Sequence, residues 1–444
     1  MKHLKPLGII LTVAMIGTLF TACTPKAVPT TSVASSAAAS SAASSSAAAK
    51  NPDDYKGEVN MLAWLPDNPD IVTNWVAAFQ KKYKNVKVNA QMMTGQSLVE
   101  NLEPRFASNN IPDVFSFELD GFSHSQVTAG RIADIGDTKA WAEQVPAMQA
   151  SWTFGGVKYG ISGGIATTLF YYNMDAFTKA GITTLPKDWD EFLVMCEKLK
   201  GAGVVPLVWY GGFPNMLSNG PLSWGFANDI LPLDKDAIKN VADTKYDFSK
   251  NAGWLKMYQK MKILDTKGYL LKGFTSTDYN GGQDQFNNAQ AAMIFAGTWQ
   301  AAYLIDKGKF KTGLFLPPWN DKGKELVAVN ASETGWSVGN NKNVELGKLL
   351  LDNMFYENFN IYQNPRGSVS PFKSTKGNVL NEKLGAVVAE LNKITTYTNL
   401  VNRNLPAAVF TEARTLGQSI YIDKTPEQVP ALLTKVQNEY FATK

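Results

Sequence analysis

The residues of this chain best suited to chemistry are aromatic, not nucleophilic or metal-ligating. Its 444 residues include 11 Trp, 16 Tyr and 23 Phe, but only two Cys and two His. Two Cys exclude a disulfide framework, and with two His they argue against a zinc site. His124 is the only histidine beyond the N-terminal segment, so Ser–His–Asp catalysis has one candidate base and no recognisable nucleophile elbow. Ser370-Pro-Phe-Lys373 fits S-x-x-K and Lys311-Thr-Gly313 fits K-T-G, as in serine penicillin-binding enzymes. They stand in the reverse of the order in those enzymes, so both read as chance. No G-x-x-x-x-G-K-[ST] or G-x-G-x-x-G loop is present. One aromatic run stands out: Trp209-Tyr210-Gly211-Gly212-Phe213 ends an apolar strand in aromatics and a Gly pair. That is an unusual loop for core filling alone, and it reads as a binding loop.

Such rings need a frame. Hydrophobic residues make up 45% of the chain and charged residues 18%, the balance of a folded protein. The length suits about two to three domains with large cores. Net charge is +4, but residues 1–56 hold five Lys against Asp53 and Asp54, which leaves the rest nearly neutral. A nucleic-acid binder would show a basic footprint, and none is visible.

The frame is an alternation of strands and helices. Val59 to Trp64 reads as a strand, and Ile71, Trp75, Phe79 and Tyr83 form a helical stripe. Val86 starts another strand. Leu98, Leu102 and Phe106 mark a second helix, and Pro112 to Phe117 a third strand. Further strand signals fall at Leu169–Tyr172, Val205–Trp209, Ala291–Phe295, Lys311–Leu316 and Glu333–Val338. Asp188 and Glu191 suit a capped helix start, with Phe192, Cys196 and Leu199 on one face. Cys196 is expected to be a buried small hydrophobe. Trp75, Trp141, Trp189 and Trp254 sit on helical stripes and are expected in the core. The rhythm argues for doubly wound α/β sheets.

The N-terminus gives an address. Lys2 and Lys5 precede Leu7 to Phe20, an apolar run too short to span a bilayer but right for a signal peptide. It ends in Leu19-Phe20-Thr21-Ala22-Cys23, which resembles a bacterial lipobox with Phe20 in the usual Leu position. Residues 1–22 are therefore expected to be a lipoprotein signal peptide and Cys23 the lipidated residue. Of Ser32 to Ala49, seventeen residues are Ser or Ala, so 23–56 reads as a flexible linker. The protein is expected on the extracellular face of the membrane, anchored through lipid.

Several stretches of the body, in order, resemble the extracellular solute-binding proteins of bacterial ABC sugar importers, the maltose-binding-like group. They are Ile111-Pro-Asp-Val-Phe with Ala129-Gly-Arg-Ile-Ala-Asp-Ile135, and Lys158-Tyr-Gly-Ile-Ser-Gly-Gly with Leu169-Phe-Tyr-Tyr-Asn173 and Phe177-Thr-Lys-Ala-Gly181. Leu185-Pro-Lys-Asp-Trp-Asp-Glu-Phe192, Ala291-Ala-Met-Ile-Phe-Ala-Gly-Thr-Trp299 and Thr334-Gly-Trp-Ser-Val338 follow. The likeness covers roughly residues 57–444. It implies two α/β lobes joined by crossing strands, with a hinge and a ligand cleft between them. Carried over, lobe one is 57–163 plus 330–362, and lobe two is 166–327 plus 366–444.

The resemblance also implies a ligand and its contacts. Sugars present C–H patches for aromatic rings and hydroxyls for acids, amides and Arg. Trp64, Phe117, Glu118 and Asp120 match positions that contact ligand from lobe one, with Asp120 the preferred hydrogen-bonding acid. Gly163, with Gly164, sits at the first crossing, where close backbone approach favours Gly. Trp209, Tyr210 and Trp299 are the lobe-two candidates, Trp299 matching the family's stacking aromatic. Trp336 and Arg366 lie near later crossings, and Asn402-Arg403-Asn404 is a further loop of interest.

The function implied is a carbohydrate receptor, for an oligosaccharide above all, that hands its ligand to an ABC permease. It would be a monomer with no cofactor, no metal and no catalytic residues. The rival of another class is a secreted glycoside hydrolase, which needs two carboxylates about 5–9.5 Å apart. The same fold binding a polyamine, metal or organic anion is a third reading, against which the Trp-rich loops speak.

Overall fold

In the computed structural model of the chain, residues 50–444 are described, apart from 66–67, 94–97, 244, 367, 375–381, 392, 394–395, 399–404 and 443–444. Cys23, the signal segment, most of the Ser/Ala tract and the Asn402-Arg403-Asn404 loop lie outside the described residues.

The apolar runs of the body become the strands of two separate sheets. In the first, β1 (Gly57–Ala63) pairs in parallel with β2 (Val86–Met92) and with β3 (Val114–Phe117). The helices Asp70–Lys82 and Leu98–Ala107 connect them. The stripe behaves as its spacing predicts: Ile71, Trp75 and Phe79 are buried, and Tyr83 closes the helix by donating its amide to Phe79 O. After a short hairpin, β4 (Thr153–Phe154) and β5 (Val157–Lys158), the chain runs into β6 (Ile161–Ser162).

Here the chain leaves the first sheet. Gly163 and Gly164 lead into β7 (Ile165–Asn173), the nine-residue spine of the second sheet. It pairs with β10 (Thr312–Phe315) and with β9 (Met293–Gly297), and β8 (Leu207–Val208) lies on the far side of β9. The sheet is completed by β11 (Ala328–Ser332). Glu333 and Thr334 then carry the chain back to β12 (Gly335–Val338), antiparallel to β3 in the first sheet. A third passage follows the helix Phe359–Arg366, where Val369 bridges Ile165. β13 (Thr396–Thr398) ends the second sheet beside β11.

Each sheet has its own core. The first gathers Trp75, Phe79, Phe115, Trp152, Trp336 and Tyr362; the second gathers Phe170, Phe192, Trp209, Trp224, Trp254 and Phe295. These are two α/β lobes. The lobe limits read from the sequence shift in two places. β11 belongs to the second sheet, so the return comes at Glu333 and not at 330. Phe372 packs into the first core and Lys373 N donates to Glu143 O, so the chain rejoins the first lobe after 366 before ending in the second.

Asp188 caps the helix Trp189–Gly201 by accepting from Glu191 N at 2.9 Å, as its spacing predicts. The reciprocal bond differs, since Glu191 reaches Lys187 N instead of the cap's own amide. Cys196 is buried, and burial pushes its thiol well above the ordinary range.

A charge cluster braces the second lobe. Two stretches of π-helix, Ser218–Leu222 and Phe226–Ile230, hold Asp229 against Lys260 of the helix Ala252–Thr266. Lys260 Nζ donates to Asp229 Oδ1 at 2.9 Å and to Trp319 O at 2.6 Å, while Trp319 Nε1 donates to Asp229 Oδ2 at 2.8 Å. Lys260 also lies over the rings of Trp189 and Trp319. Asp321 and Lys256 extend the cluster to the surface.

Candidate ligand cleft

Strand register decides which loops face one another. β6, Gly163, Gly164 and β7 form one crossing, and Glu333 and Thr334 the other. Gly335 pairs with Phe117, so the carboxyl end of β3 abuts the crossing. β1 is parallel to β3, with Leu62 opposite Phe115, so Trp64 leaves the sheet at the same edge. In the second sheet Thr168 pairs with Gly297, which brings the carboxyl end of β9 to the crossing too. β8 is parallel to β9, so the loop that follows it emerges there as well. Both sheets thus aim strand carboxyl ends at one crevice, where open α/β sheets bind ligands.

On the second-lobe side three half-buried rings form a wall. Trp299 lies in the turn after β9 with its indole flat over Gly297, where a Cβ would meet the ring at 2.1 Å. Only Gly leaves room for that pose. Trp299 Nε1 donates to Tyr279 Oη at 3.1 Å, and Tyr279 sits 5.5 Å from Phe213 between ring centroids. Tyr279 opens the helix Tyr279–Asn287, whose cap Asp278 accepts from Gly281 N. Rings fixed by a backbone contact and a hydrogen bond present apolar faces at little entropic cost.

A model of the bacterial extracellular solute-binding proteins matches residues 74–351. The chain belongs to that family. It is 25% identical over 317 residues to the arabinooligosaccharide-binding protein of Bacillus subtilis (strain 168), covering 66% of this chain and 69% of that one. It is 28% identical to the diacetylchitobiose binding protein DasA of Streptomyces coelicolor, over 32% of this chain and a third (33%) of that one. The fold superposes on the raffinose complex of the solute-binding protein RafE with TM-score 0.75 at 17% identity, over 86% of this chain and 99% of that one. The expected family and two-lobed fold are therefore those of this solute-binding protein.

The structure distributes the sequence-predicted residues of this solute-binding protein unevenly. Trp64 and Trp299 are half-buried at the cleft edges of their sheets, and Glu118 is exposed just beyond β3. Phe117 points into the first core, stacked with Phe106 and edge-on to Phe115. Trp209 and Tyr210 are wholly buried and meet Phe295 edge-on, so their rings fill the second core in place of lining the cleft. Their Gly pair hydrogen-bonds along the neighbouring chain, Gly211 N to Phe274 O and Gly212 N to Thr277 O. Trp336 is also core, edge-on to Trp75. Arg366 is buried, with Nη2 3.4 Å from Glu333 Oε2, and Tyr362 Oη donates to the same oxygen at 3.0 Å. That carboxylate belongs to the second crossing, so Arg366 ties crossing to helix. Gly163 serves the same junction: a Cβ there would fall 2.5 Å from Tyr362 Oη and 2.6 Å from Thr334 O.

Asp120 caps the helix Gly121–Thr128, accepting from Ser123 N at 2.8 Å, while Asp120 N donates to Ser123 Oγ. Its carboxylate has a structural task beside any ligand contact. Asp120→Ala is expected to lower stability by about 1 kcal/mol, and Asp120→Asn by only a few tenths. Denaturant midpoints of the two variants check this.

On the same helix His124 stacks on Phe154 at 3.9 Å, and burial lowers its pKa. A lowered histidine pKa means that folding favours the neutral ring. The stability this gives is complete above the unfolded value of about 6.5 and is lost as pH falls through the folded value. His124→Phe keeps the stack and cannot charge. Its unfolding free energy should fall less steeply than wild type from about pH 6.5 downward, in urea titrations at stepped pH.

Reasoning from sequence did not single out Phe213 as an anchor, and it missed Tyr279, Asn215, Phe410 and Arg414. Tyr279 had no local signal beyond its cap. Arg414 and Asn215 are 199 residues apart and meet only in the fold. Two surface hollows, of about 180 and 390 Å³, lie at the far end of β7 and take no part in the cleft.

Proposed function

We propose that this solute-binding protein is the extracellular carbohydrate receptor of an ABC importer, that its ligand is an oligosaccharide, and that it acts without catalysis. The observation that carries the reading is the aromatic wall. Trp299, Tyr279 and Phe213 offer successive apolar faces at the carboxyl edge of one sheet, and Trp64 stands at the matching edge of the other. Several ring faces set side by side suit a chain of sugars better than a single one. The relatives named for arabinooligosaccharide and diacetylchitobiose binding support the same class.

Lobe closure supplies the mechanism. Sugar touching both walls lowers the free energy of the closed form and shifts the population towards it. The pivots are the crossings at 163–164, 333–334 and 368–369. We accordingly set lobe one at 57–163 and 334–366 with the 371–373 stretch, and lobe two at 166–332 with the remaining C-terminal chain. Cys23 is the lipid anchor, and the Ser/Ala tract 32–49 the tether that lets the body reach its permease. No helix among the described residues is long and apolar enough to cross a membrane.

A thermal-shift screen with mono- and oligosaccharides, and with polyamines and metal ions as controls, tests the reading. Ligand at about 100 times Kd adds roughly 2.7 kcal/mol, a shift of several degrees. A response confined to sugars is the expected result. A response confined to the controls overturns the ligand class, and released reducing sugar in the same wells overturns the non-enzymatic role.

A further inference from the structure

We propose that Arg414 is the specificity-determining residue of the cleft, donating to hydroxyls of a neutral sugar, and that Asn215 holds it in place. This rests on the receptor reading above. Arg414 lies on the helix Ala407–Ser419, which packs against Pro214–Leu217 in the loop that carries Phe213. Its guanidinium is fixed from two sides. Nη1 donates to Asn215 Oδ1, and the carbon centre sits 4.4 Å from the centroid of half-buried Phe410. Nε is buried and meets no acceptor among the described residues.

The contrast with Arg366 gives this meaning. That guanidinium is buried and has Glu333 beside it, whereas Arg414 is half-buried. Arg414 has no carboxylate within 4 Å among the described residues, although burying an unpaired charge is costly. Burial pushes its pKa down, and the charge that opposes this shift is Glu118, beyond the end of β3 in the first lobe. The cleft therefore has an oriented donor on one wall and an acceptor-only carboxylate on the other.

A sugar hydroxyl accepts and donates at once, so a neutral polyol satisfies both walls. A carboxylated sugar would gain at Arg414 but lose at Glu118. Neutral oligosaccharides should consequently be preferred over uronates, and Arg414 should matter more for affinity than for folding.

Calorimetric titration of the purified protein with raffinose, stachyose, arabinotriose, diacetylchitobiose and trigalacturonate tests this. For the tightest neutral sugar, Arg414→Met is expected to weaken binding about ten- to hundredfold. Arg414→Lys should lose most of that, because it lacks the Nε donor and the planar fork. As a positioning residue, Asn215→Ala should lose affinity and Asn215→Asp, which still accepts from the guanidinium, should restore it. Wild type should bind trigalacturonate at least about tenfold more weakly, and Glu118→Gln should narrow the gap. Circular dichroism checks each fold; if Arg414→Met does not fold, Arg414→Lys decides. Affinity within twofold of wild type in a folded Arg414 variant overturns the role, and tighter binding of trigalacturonate overturns the neutral class. If wild type binds no neutral sugar at all, the receptor reading fails and this inference falls with it.

Discussion

Trp299→Ala should weaken oligosaccharide binding by a hundredfold or more while leaving the unfolding midpoint nearly unchanged. The indole is half-buried, braced by Gly297 beneath and by Tyr279 Oη at its nitrogen, and its outer face is the one proposed to meet a pyranose. Removing it deletes an anchor of the kind that dominates interface energy, at about 2 kcal/mol or more, and frees Tyr279 to move. A hundredfold corresponds to roughly 2.8 kcal/mol. Trp209→Ala makes the complementary case. That ring has no exposed surface and fills the second core, so its loss should cost about 3–5 kcal/mol of stability. Affinity measured on the fraction that stays folded should change little. Calorimetry and denaturant titration on both variants separate the two roles; a folded Trp299→Ala protein that binds as tightly as wild type would refute the wall.

The second large effect concerns stability. Asp229→Ala should cost about 3–5 kcal/mol, because it strands the Lys260 ammonium in the core with Trp319 as its main remaining partner. Asp321, 3.3 Å from Lys260 and partly exposed, offers some relief and favours the lower end of that range. The double variant Asp229→Ala/Lys260→Met should recover most of the loss, since an apolar filling of a buried ion-pair site is often neutral. Guanidinium chloride titration checks both. Near-wild-type stability in the single variant would mean that Asp321 carries the pairing.

The brace also illustrates how much of the molecule could be foreseen. Elements with one strong period were legible: the stripe Ile71, Trp75, Phe79, the strands β1, β3, β7 and β9, and the Asp188 cap all stand where spacing put them. The π-helical stretches Ser218–Leu222 and Phe226–Ile230 were not, since they break the 3.6-residue period on which helix reading depends. The cleft was half legible. Trp299 and Trp64 follow strands, and a ring after a strand end reaches the sheet edge. Trp209 and Tyr210 also follow a strand, but the chain there turns in against Phe274–Thr277 and carries both rings into the core. Arg414 had no signature at all: its meaning comes from Asn215 and Glu118, which sequence distance hides.

The buried thiol of Cys196 has a practical side. It is the one cysteine between residues 50 and 444, it is sealed in the second core, and burial keeps it protonated and unreactive. The body is thus silent towards maleimide dyes as it stands. Two cysteines placed on exposed helix faces, one on each lobe, would take a donor and an acceptor fluorophore with no native site to remove first. The proposed opening and closing could then be tested as a distance on single molecules, with and without sugar.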